Sequence, residues 1–313
     1  MAERGGHDLV TTVMITRNRR ERTLRSLARA PGPVVLVDNG STDDTGAAVN
    51  ARFPHVDVVV LPGNRGAVAR NVGVERVRTP YVAFADDDSW WEPESLALAQ
   101  QLLTVHPDWA AVVASVLVEP GGRLDPLNEQ MLAESPVLDD PVRPGLDARL
   151  VAGFPACAAV LRTDSFLAAG GFDDVVFFGG EEERLVLDLV AGGGALVHVP
   201  AIVAHHEPGG QLRPGRSRQV ERNHLLTAVM RHPWPEVGRR LLQAARRREL
   251  GAIASAAVRA PRALRVRNPV PPRVHAYLTH STGQVFAGVK RLSSPVRGTN
   301  RRHEDPRSQR TVP

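Results

Sequence analysis

Three consecutive carboxylates, Asp86, Asp87 and Asp88, follow directly on the apolar run 81–85. Such a run reads as a buried strand, and three like charges at its C-terminal end repel one another. A cation or a diphosphate–metal complex nearby would relieve that repulsion, because hard divalent metals take oxygen ligands. An isolated acidic triplet is also an ordinary solvated turn. The segments before it decide between the two. Thr16-Arg17-Asn18, Asp38-Asn39-Gly40-Ser41 and Asn64-Arg65-Gly66 each close a short apolar run in the same way. Alone, each is common turn chemistry.

The elements that must position these residues follow from the pattern. Strands are expected at 9–15, 34–37, 56–61 and 81–85, with helices at 21–30, up to 52, at 67–76 and at 93–103. Pro31-Gly32-Pro33 stops the first helix, Thr42 or Asp43 can cap the second, and Pro93 suits the first position of the fourth. This alternation argues for a mostly parallel sheet with helices on both faces, an α/β fold. In such a sheet the C-terminal strand ends share one edge, where ligands gather. Further on, strands are expected at 110–118, 156–161 and 195–203 and helices at 164–169 and 181–191. A long loop is expected over 120–145, and one helix over 239–258, followed by a stretch broken at Pro261, Pro269, Pro271 and Pro272.

Composition narrows the class. The chain has 313 residues, 42% of them apolar, enough for one large α/β domain and an appendage. The single cysteine, Cys157, excludes an intrachain disulfide and a multi-cysteine zinc site, and suggests a reducing, cytoplasmic setting. No stretch resembles a signal peptide or a membrane span. The net charge of +5 hides an asymmetry: residues 236–313 hold 17 Lys and Arg against 4 Asp and Glu, leaving the first 235 residues net acidic. Three parts are therefore expected: a main domain over 1–235, a basic helical extension over 236–290 and a disordered tail over 291–313.

In combination the motifs resemble a known family. Val37-Asp38-Asn39-Gly40-Ser41-Thr42-Asp43-Asp44-Thr45, Gly63-Asn64-Arg65-Gly66 with Ala69-Arg70-Asn71-Val72-Gly73, and Ala85-Asp86-Asp87-Asp88 are similar to family-2 glycosyltransferases of the GT-A fold, in a bacterial, rhamnosyltransferase-like subgroup. Gly170-Gly171-Phe172-Asp173, Gly180-Glu181-Glu182 and Val199-Pro200 to His205-His206 continue the likeness to about residue 235.

The resemblance implies an inverting transfer of a sugar from a UDP- or dTDP-linked donor to a hydroxyl acceptor, a saccharide or lipid-linked glycan of the cell envelope. It implies that Asp38 meets the nucleobase, beside Thr16, Arg17 and Asn18, and that Asn64, Gly66 and Arg70 lie near the nucleotide. Asp86 or Asp87 would meet the ribose or sugar hydroxyls, both lying on the nucleotide-sugar side, and Asp88, with His205, would hold Mg²⁺ or Mn²⁺. Glu182 aligns with the acceptor base, with Glu181 beside it and Glu in place of the family's usual Asp. The helix N-terminus is expected to keep the Glu182 carboxylate ionised. Trp90 and Trp91 could cover the sugar or simply pack in the core.

Two other functions stay open on the sequence alone. A nucleotidyltransferase would want a glycine-rich phosphate loop with Lys at the first turn, where this chain has Thr16-Arg17-Asn18-Arg19-Arg20. A binding module without turnover follows if the Glu substitution disables the base. The basic extension is expected to pack on the acidic domain and to meet an anionic membrane surface, placing the protein peripherally on the inner face of the cell membrane. Nucleic acid is not an expected partner, because the region lacks interleaved aromatics and any recognised motif.

Overall fold

The computed structural model describes residues 9–274, apart from Pro136, Pro141 and residues 210–214. The expected tail at 291–313 lies outside them, as does the end of the basic extension. Strands β1 (Val10–Thr16), β2 (Val34–Asp38), β3 (Asp57–Val60) and β4 (Tyr81–Asp86) form the parallel half of a ten-stranded sheet, in the order β3-β2-β1-β4. The register sets Thr16 beside Asp38 and Ile15 beside Asp86, so the polar strand ends meet on one edge. The sheet continues through β9 (Ala159–Arg162), the antiparallel neighbour of β4, then β6 (Trp109–Val118), β10 (Ala195–His206) and β5 (Ser89–Trp91). Two short strands, β7 (Arg123–Leu124) and β8 (Arg149–Leu150), pair with β6 and β10.

Strands β1 and β2 are buried on both faces, which explains their unbroken apolar runs. On one face α1 (Arg20–Leu27) and α2 (Thr45–Arg52) set Leu27 and Val49 against Met14, Leu36 and Ala85. The other face packs Val13, Val37 and Phe84 against Phe166 of α6 (Thr163–Ala168) and Leu185, Val186 and Leu189 of α7 (Glu182–Ala191). Further along, α4 (Pro93–Val105) begins at its proline as expected and buries Leu96, Leu102 and Leu103.

Three expectations need correction. The 120–145 segment is not one long loop: it contains β7 and helix α5 (Pro126–Glu134). Its polar residues are fasteners, since Asp125 Oδ1 accepts the Leu127 N–H and buried Asn128 ties the helix to the Val116 N–H and Ala114 carbonyl. The strand foreseen at 156–161 opens with a short 3₁₀ turn and becomes extended at Ala159. The helix foreseen over 239–258 is two helices, α9 (Trp234–Arg246) and α10 (Leu250–Arg265), separated where Arg248 takes φ 60°. Pro261 lies inside α10 instead of ending it.

The last three helices form one layer. Helix α8 (Arg216–Arg231) carries Leu225, Leu226 and Met230 onto Ala244 of α9, Ala256 and Ala263 of α10, and Val175 and Val176 of the loop before α7. Charge reinforces this packing: Arg231 meets Asp188 at 2.8 Å, Arg240 meets Glu183 at 2.6 Å and Arg262 meets Asp174 at 2.7 Å. Among the described residues no helix is long and apolar enough to cross a membrane.

Candidate functional site

The polar strand ends open into one cleft of about 420 Å³. Thr16, Arg17 and Arg19 at the end of β1, Asn39 after β2, Asn64 and Gly66 before α3 (Ala69–Val74), and Asp86, Asp87 and Asp88 at the end of β4 form one wall. Phe177, Phe178, His206 and the start of α8, through Arg216 and Gln219, form the other. Four segments far apart in the chain thus face one volume, as the parallel register requires.

Much of the first wall is loop carpentry. Asn18, in the left-handed region at φ 54°, donates its N–H to Ser41 Oγ and accepts the Thr42 N–H through Oδ1, joining the first two loops. Buried Asp38 accepts the Ser41 N–H at 2.8 Å and the Gly46 N–H at 3.1 Å. Its carboxylate therefore shapes the turn behind the cleft wall, and Asn39 is the residue of that pair on the wall itself. Asn39 accepts the Arg65 N–H and donates to the Gly66 carbonyl, while Asn64 Oδ1 accepts the Gly66 N–H. Gly66 has φ 61°, and a Cβ there would sit 2.3 Å from the Phe177 carbonyl oxygen, so no other residue fits.

The three aspartates have different company. Asp86 is the most open and accepts from Arg70 at 2.5 Å. Asp87 is buried, accepting from Thr16 Oγ1 at 3.1 Å and Arg19 at 3.3 Å. Burial, with Asp88 and Asp86 adding to it against Arg19, pushes its pKa up to about 7. Asp88 accepts from Arg19 at 2.9 Å and Arg22 at 3.1 Å, and faces His206 Nε2 at 3.4 Å. Burial would raise its pKa, but His206 and the two arginines outweigh burial and hold it below the usual range. His206 is correspondingly raised, its burial offset by Asp88.

The sequence pointed to His205, and here the structure corrects it. Strand β10 runs on through both histidines, and successive side chains of a strand face opposite ways. His206 therefore turns to the carboxylates. His205 turns away, held by Glu119 at 3.0 Å and Glu92 at 3.2 Å and stacked on Trp90 at 5.1 Å. Arg29 lies over Trp90 at 4.2 Å, and Trp91 is buried with its indole N–H on the Phe84 carbonyl, so neither tryptophan lines the cleft.

Asp88 and His206 offer an oxygen and a nitrogen donor side by side on the cleft wall. Among the described residues no group of three or more His, Cys, Asp or Glu is placed to hold a metal unaided. This pair fits Mg²⁺ or Mn²⁺ as ions that a few protein donors and the oxygens of a diphosphate would hold together.

Arg70 was expected near the nucleotide. It is instead fully buried, bridging Asp86 at 2.5 Å and Glu181 at 3.5 Å with its guanidinium 5.4 Å from the Phe172 ring. Asn71 next to it clasps Phe172 through both backbone groups, N–H to Oδ1 and carbonyl from Nδ2. A Cβ on Gly171, at φ 62°, would strike Asn71. The Gly-Gly-Phe motif and the Arg-Asn pair therefore fit each other and join the two halves of the domain.

Glu181 and Glu182 stand at the start of α7, Glu181 almost fully buried. Burial raises the Glu181 pKa against the pull of Arg70. Part of Glu182 reaches solvent, yet desolvation and the neighbouring Glu181 push its pKa up to about 8. The expectation that the helix terminus keeps Glu182 ionised is thus reversed: two adjacent carboxylates with one arginine between them outweigh a terminal half-charge. Next along, Glu183 meets His224 at 2.6 Å, Arg240 at 2.6 Å and His232 at 3.7 Å. Burial is outweighed there by these partners, and Glu183 is held far below the usual range.

Sequence reasoning missed Arg19, Arg22, His206, Arg216, Gln219 and the two phenylalanines. The i, i+3 spacing of Arg19 and Arg22 was the available signal for those two. His206 depends on how far β10 runs, and the rest depend on how α8 and the loop before α7 close over the strand ends.

A family model described as Glycosyl transferase family 2 matches residues 11–168. A pre-mycofactocin glycosyltransferase of Mycobacterium tuberculosis is 30% identical over 224 residues, covering 68% of this chain and 46% of that protein. The chain thus spans about half the length of that curated relative. An N-acetylglucosaminyl-diphospho-decaprenol L-rhamnosyltransferase of the same organism is 28% identical over 229 residues, covering 60% of this chain and 71% of that protein. Among solved structures, S. aureus TarS 1-349 aligns with a TM-score of 0.55 at 16% identity, covering 91% of this chain and 90% of that one. A mannosyltransferase from Pyrobaculum calidifontis, in complex with GDP-Man and Mn²⁺, aligns with a TM-score of 0.51 at 20% identity, covering 90% and 79%.

Proposed function

The chain belongs to glycosyl transferase family 2, and from that premise we propose that it moves a sugar from a nucleoside diphosphate donor to a hydroxyl acceptor in one inverting displacement. Its fold is GT-A. The observation that carries the reading is the convergence of four strand-end segments, three carboxylates among them, on one cleft, with Arg70 linking Asp86 to the buried Glu181 beside Glu182.

The donor's nucleotide would lie along Thr16, Arg17, Asn39, Asn64 and Gly66, with Asn18 and Asp38 holding the turns that shape that wall. Asp86 would meet a ribose or sugar hydroxyl, Asp87 would hold Thr16 and Arg19 in place, and Asp88 with His206 would hold Mg²⁺ or Mn²⁺. When bound, that ion neutralises charge on the departing diphosphate. Glu182 would take the acceptor hydroxyl's proton as the oxygen bonds to the anomeric carbon. The bond from that carbon to the diphosphate oxygen breaks, and its electron pair leaves with the nucleoside diphosphate. A base raised to about 8 binds a proton more tightly than an ordinary carboxylate, and works only once it has lost its own. Arg70 keeps Glu181 within reach of a positive charge and connects the pair to Asp86.

A UDP- or dTDP-sugar donor and a saccharide or lipid-linked acceptor of the cell envelope complete the reading. The L-rhamnosyltransferase relative carries a diphospho-decaprenol-linked saccharide in its name, which supports a lipid-linked acceptor. The basic extension supports work at a membrane surface: Leu242, Leu250 and Val258 are exposed, Val258 by 82%, on helices rich in arginine. Flotation with anionic vesicles should then fall as salt rises, and fall further in a Leu242→Glu, Leu250→Glu variant. Unchanged flotation in that variant removes the membrane contact.

Thermal shift with a panel of nucleoside diphosphate sugars, with and without Mn²⁺, tests the donor assignment. A metal-dependent rise in melting temperature for one donor class is expected, and no shift with any donor contradicts the reading. A second reading, binding without turnover, draws on the raised pKa of Glu182. Donor binding with no release of nucleoside diphosphate at pH 9 would favour it.

A further inference from the structure

Each carboxylate of the row is paired with arginine. Asp88 Oδ2 accepts from two guanidiniums, Arg19 at 2.9 Å and Arg22 at 3.1 Å, and Oδ1 faces His206 at 3.4 Å. Arg19 reaches Asp87 as well, at 3.3 Å. Both oxygens of the best metal ligand are therefore already engaged by cationic or potentially cationic groups.

The two arginines are held differently. Arg22 donates to the Glu207 carbonyl at 3.2 Å, which ties it to the end of β10. Among the described residues, Arg19 has the two carboxylates as its side-chain partners, and it lines the cleft. Its side chain is 28% exposed against 13% for Asp88, so it stands at the mouth with the acid behind it. A rotation about its own bonds would carry its guanidinium from the acid into the cleft.

We propose that Arg19 and Arg22 are positioning residues that shield Asp88 from a bare divalent cation and that Arg19 passes to the diphosphate when a nucleotide enters. This rests on the reading of the cleft as a nucleotide and metal site. A cation arriving alone must displace two guanidiniums from the oxygen it needs and stand beside them. A diphosphate arriving with it supplies oxygens that suit the guanidinium fork and offset both charges. Competition for Asp88 then becomes cooperation across the cleft. Linkage requires the effect to be reciprocal: nucleotide tightens the metal by the factor that metal tightens the nucleotide.

Mn²⁺ binding, followed by loss of the free-ion electron paramagnetic resonance signal, tests this without turnover. Titrations would use MnCl₂ alone and with saturating UDP or GDP, on the full chain. In the wild type, nucleotide should tighten Mn²⁺ by about tenfold or more. Arg19→Gln with Arg22→Gln should bind Mn²⁺ alone about tenfold more tightly than the wild type and lose most of the nucleotide's effect. Arg19→Lys keeps the charge but not the fork, and should fall between the two; it carries the test if the double variant does not melt cooperatively. Unchanged or weaker binding of Mn²⁺ alone in folded variants overturns the shielding role and leaves the donor site standing. Absence of Mn²⁺ binding in every protein, with or without nucleotide, overturns the metal reading and the inference with it.

Discussion

The two acidic groups of this molecule contain the same chemistry in opposite surroundings. Asp86, Asp87 and Asp88 face Arg70, Arg19, Arg22 and His206, and Asp88, which meets three of these four, is held below the usual carboxylate range. Glu181 and Glu182 share one arginine, reached by Glu181 at 3.5 Å, while Glu181 Oε2 has no hydrogen-bond partner among the described residues. Both glutamates are raised, Glu182 to about 8. Asp87, within the cation-rich row, is nonetheless pushed up to about 7 by its burial, so the balance of nearby cations against burial, more than the residue type, separates a carboxylate held ionised from one that can accept a proton.

The largest expected effect is at the glutamate pair. Glu182→Gln keeps shape but cannot take a proton, and should lower the transfer rate by roughly 10²–10⁴-fold. Glu181→Gln removes the neighbouring charge that helps to raise Glu182, so the acid limb of the kcat/KM profile should move to lower pH with a smaller loss of rate. In the wild type that limb should rise towards about pH 8, since the base works deprotonated. A larger loss for Glu181→Gln would move the base one residue back.

How much of this contrast could be read from the chain alone differs between the halves. The cleft edge was legible because each strand end carries its own turn residues, and parallel pairing puts those ends together whatever the details. His206 was not, because the side facing the cleft depends on β10 continuing past Val203, a question of parity that a strand ending there could not answer. Arg70 looked like a nucleotide contact from its neighbours, and only the approach of α7 shows it bridging the two acidic groups. The ionisation of Glu182 was misjudged because the helix terminus is local and visible, whereas burial and the placement of Arg70 are tertiary. Helix α5 was hidden because its capping Asp125 and tethering Asn128 have the composition of a loop.

A smaller effect is expected at the turn behind the cleft wall. Asp38→Ala leaves the Ser41 and Gly46 N–H groups without their acceptor, and should weaken UDP binding by roughly 1–3 kcal/mol through the loop. Asp38→Asn keeps an acceptor oxygen and should recover part of that loss if the residue acts by holding the turn. No recovery would favour direct contact with the nucleobase.

The smallest effect on transfer is expected at Glu183, which faces away from the chemistry and fastens α7 to α8 and α9. Glu183→Gln should lower stability by roughly 1–3 kcal/mol, leaving its cationic partners uncompensated. Glu183 is depressed, so its contribution is present above about 4.5, its unfolded value, and lost as pH falls below that. His224 is raised through its hydrogen bond to Glu183, so its contribution is present below about 6.5 and lost as pH rises through its higher folded value. The difference in melting temperature between variant and wild type should therefore be greatest between those two pH values. A difference that does not vary with pH would separate this cluster from the stability of the helical layer.

The most direct test of the contrast between the two acidic groups is calorimetric titration of UDP with Mn²⁺ into the wild type, Asp88→Asn and Glu182→Gln. If the aspartate row holds the donor and the glutamate pair serves the acceptor, Asp88→Asn should lose most of its Mn²⁺-dependent affinity while Glu182→Gln binds as the wild type does. Equal losses in the two variants, or an unaffected Asp88→Asn beside a weakened Glu182→Gln, would contradict that division.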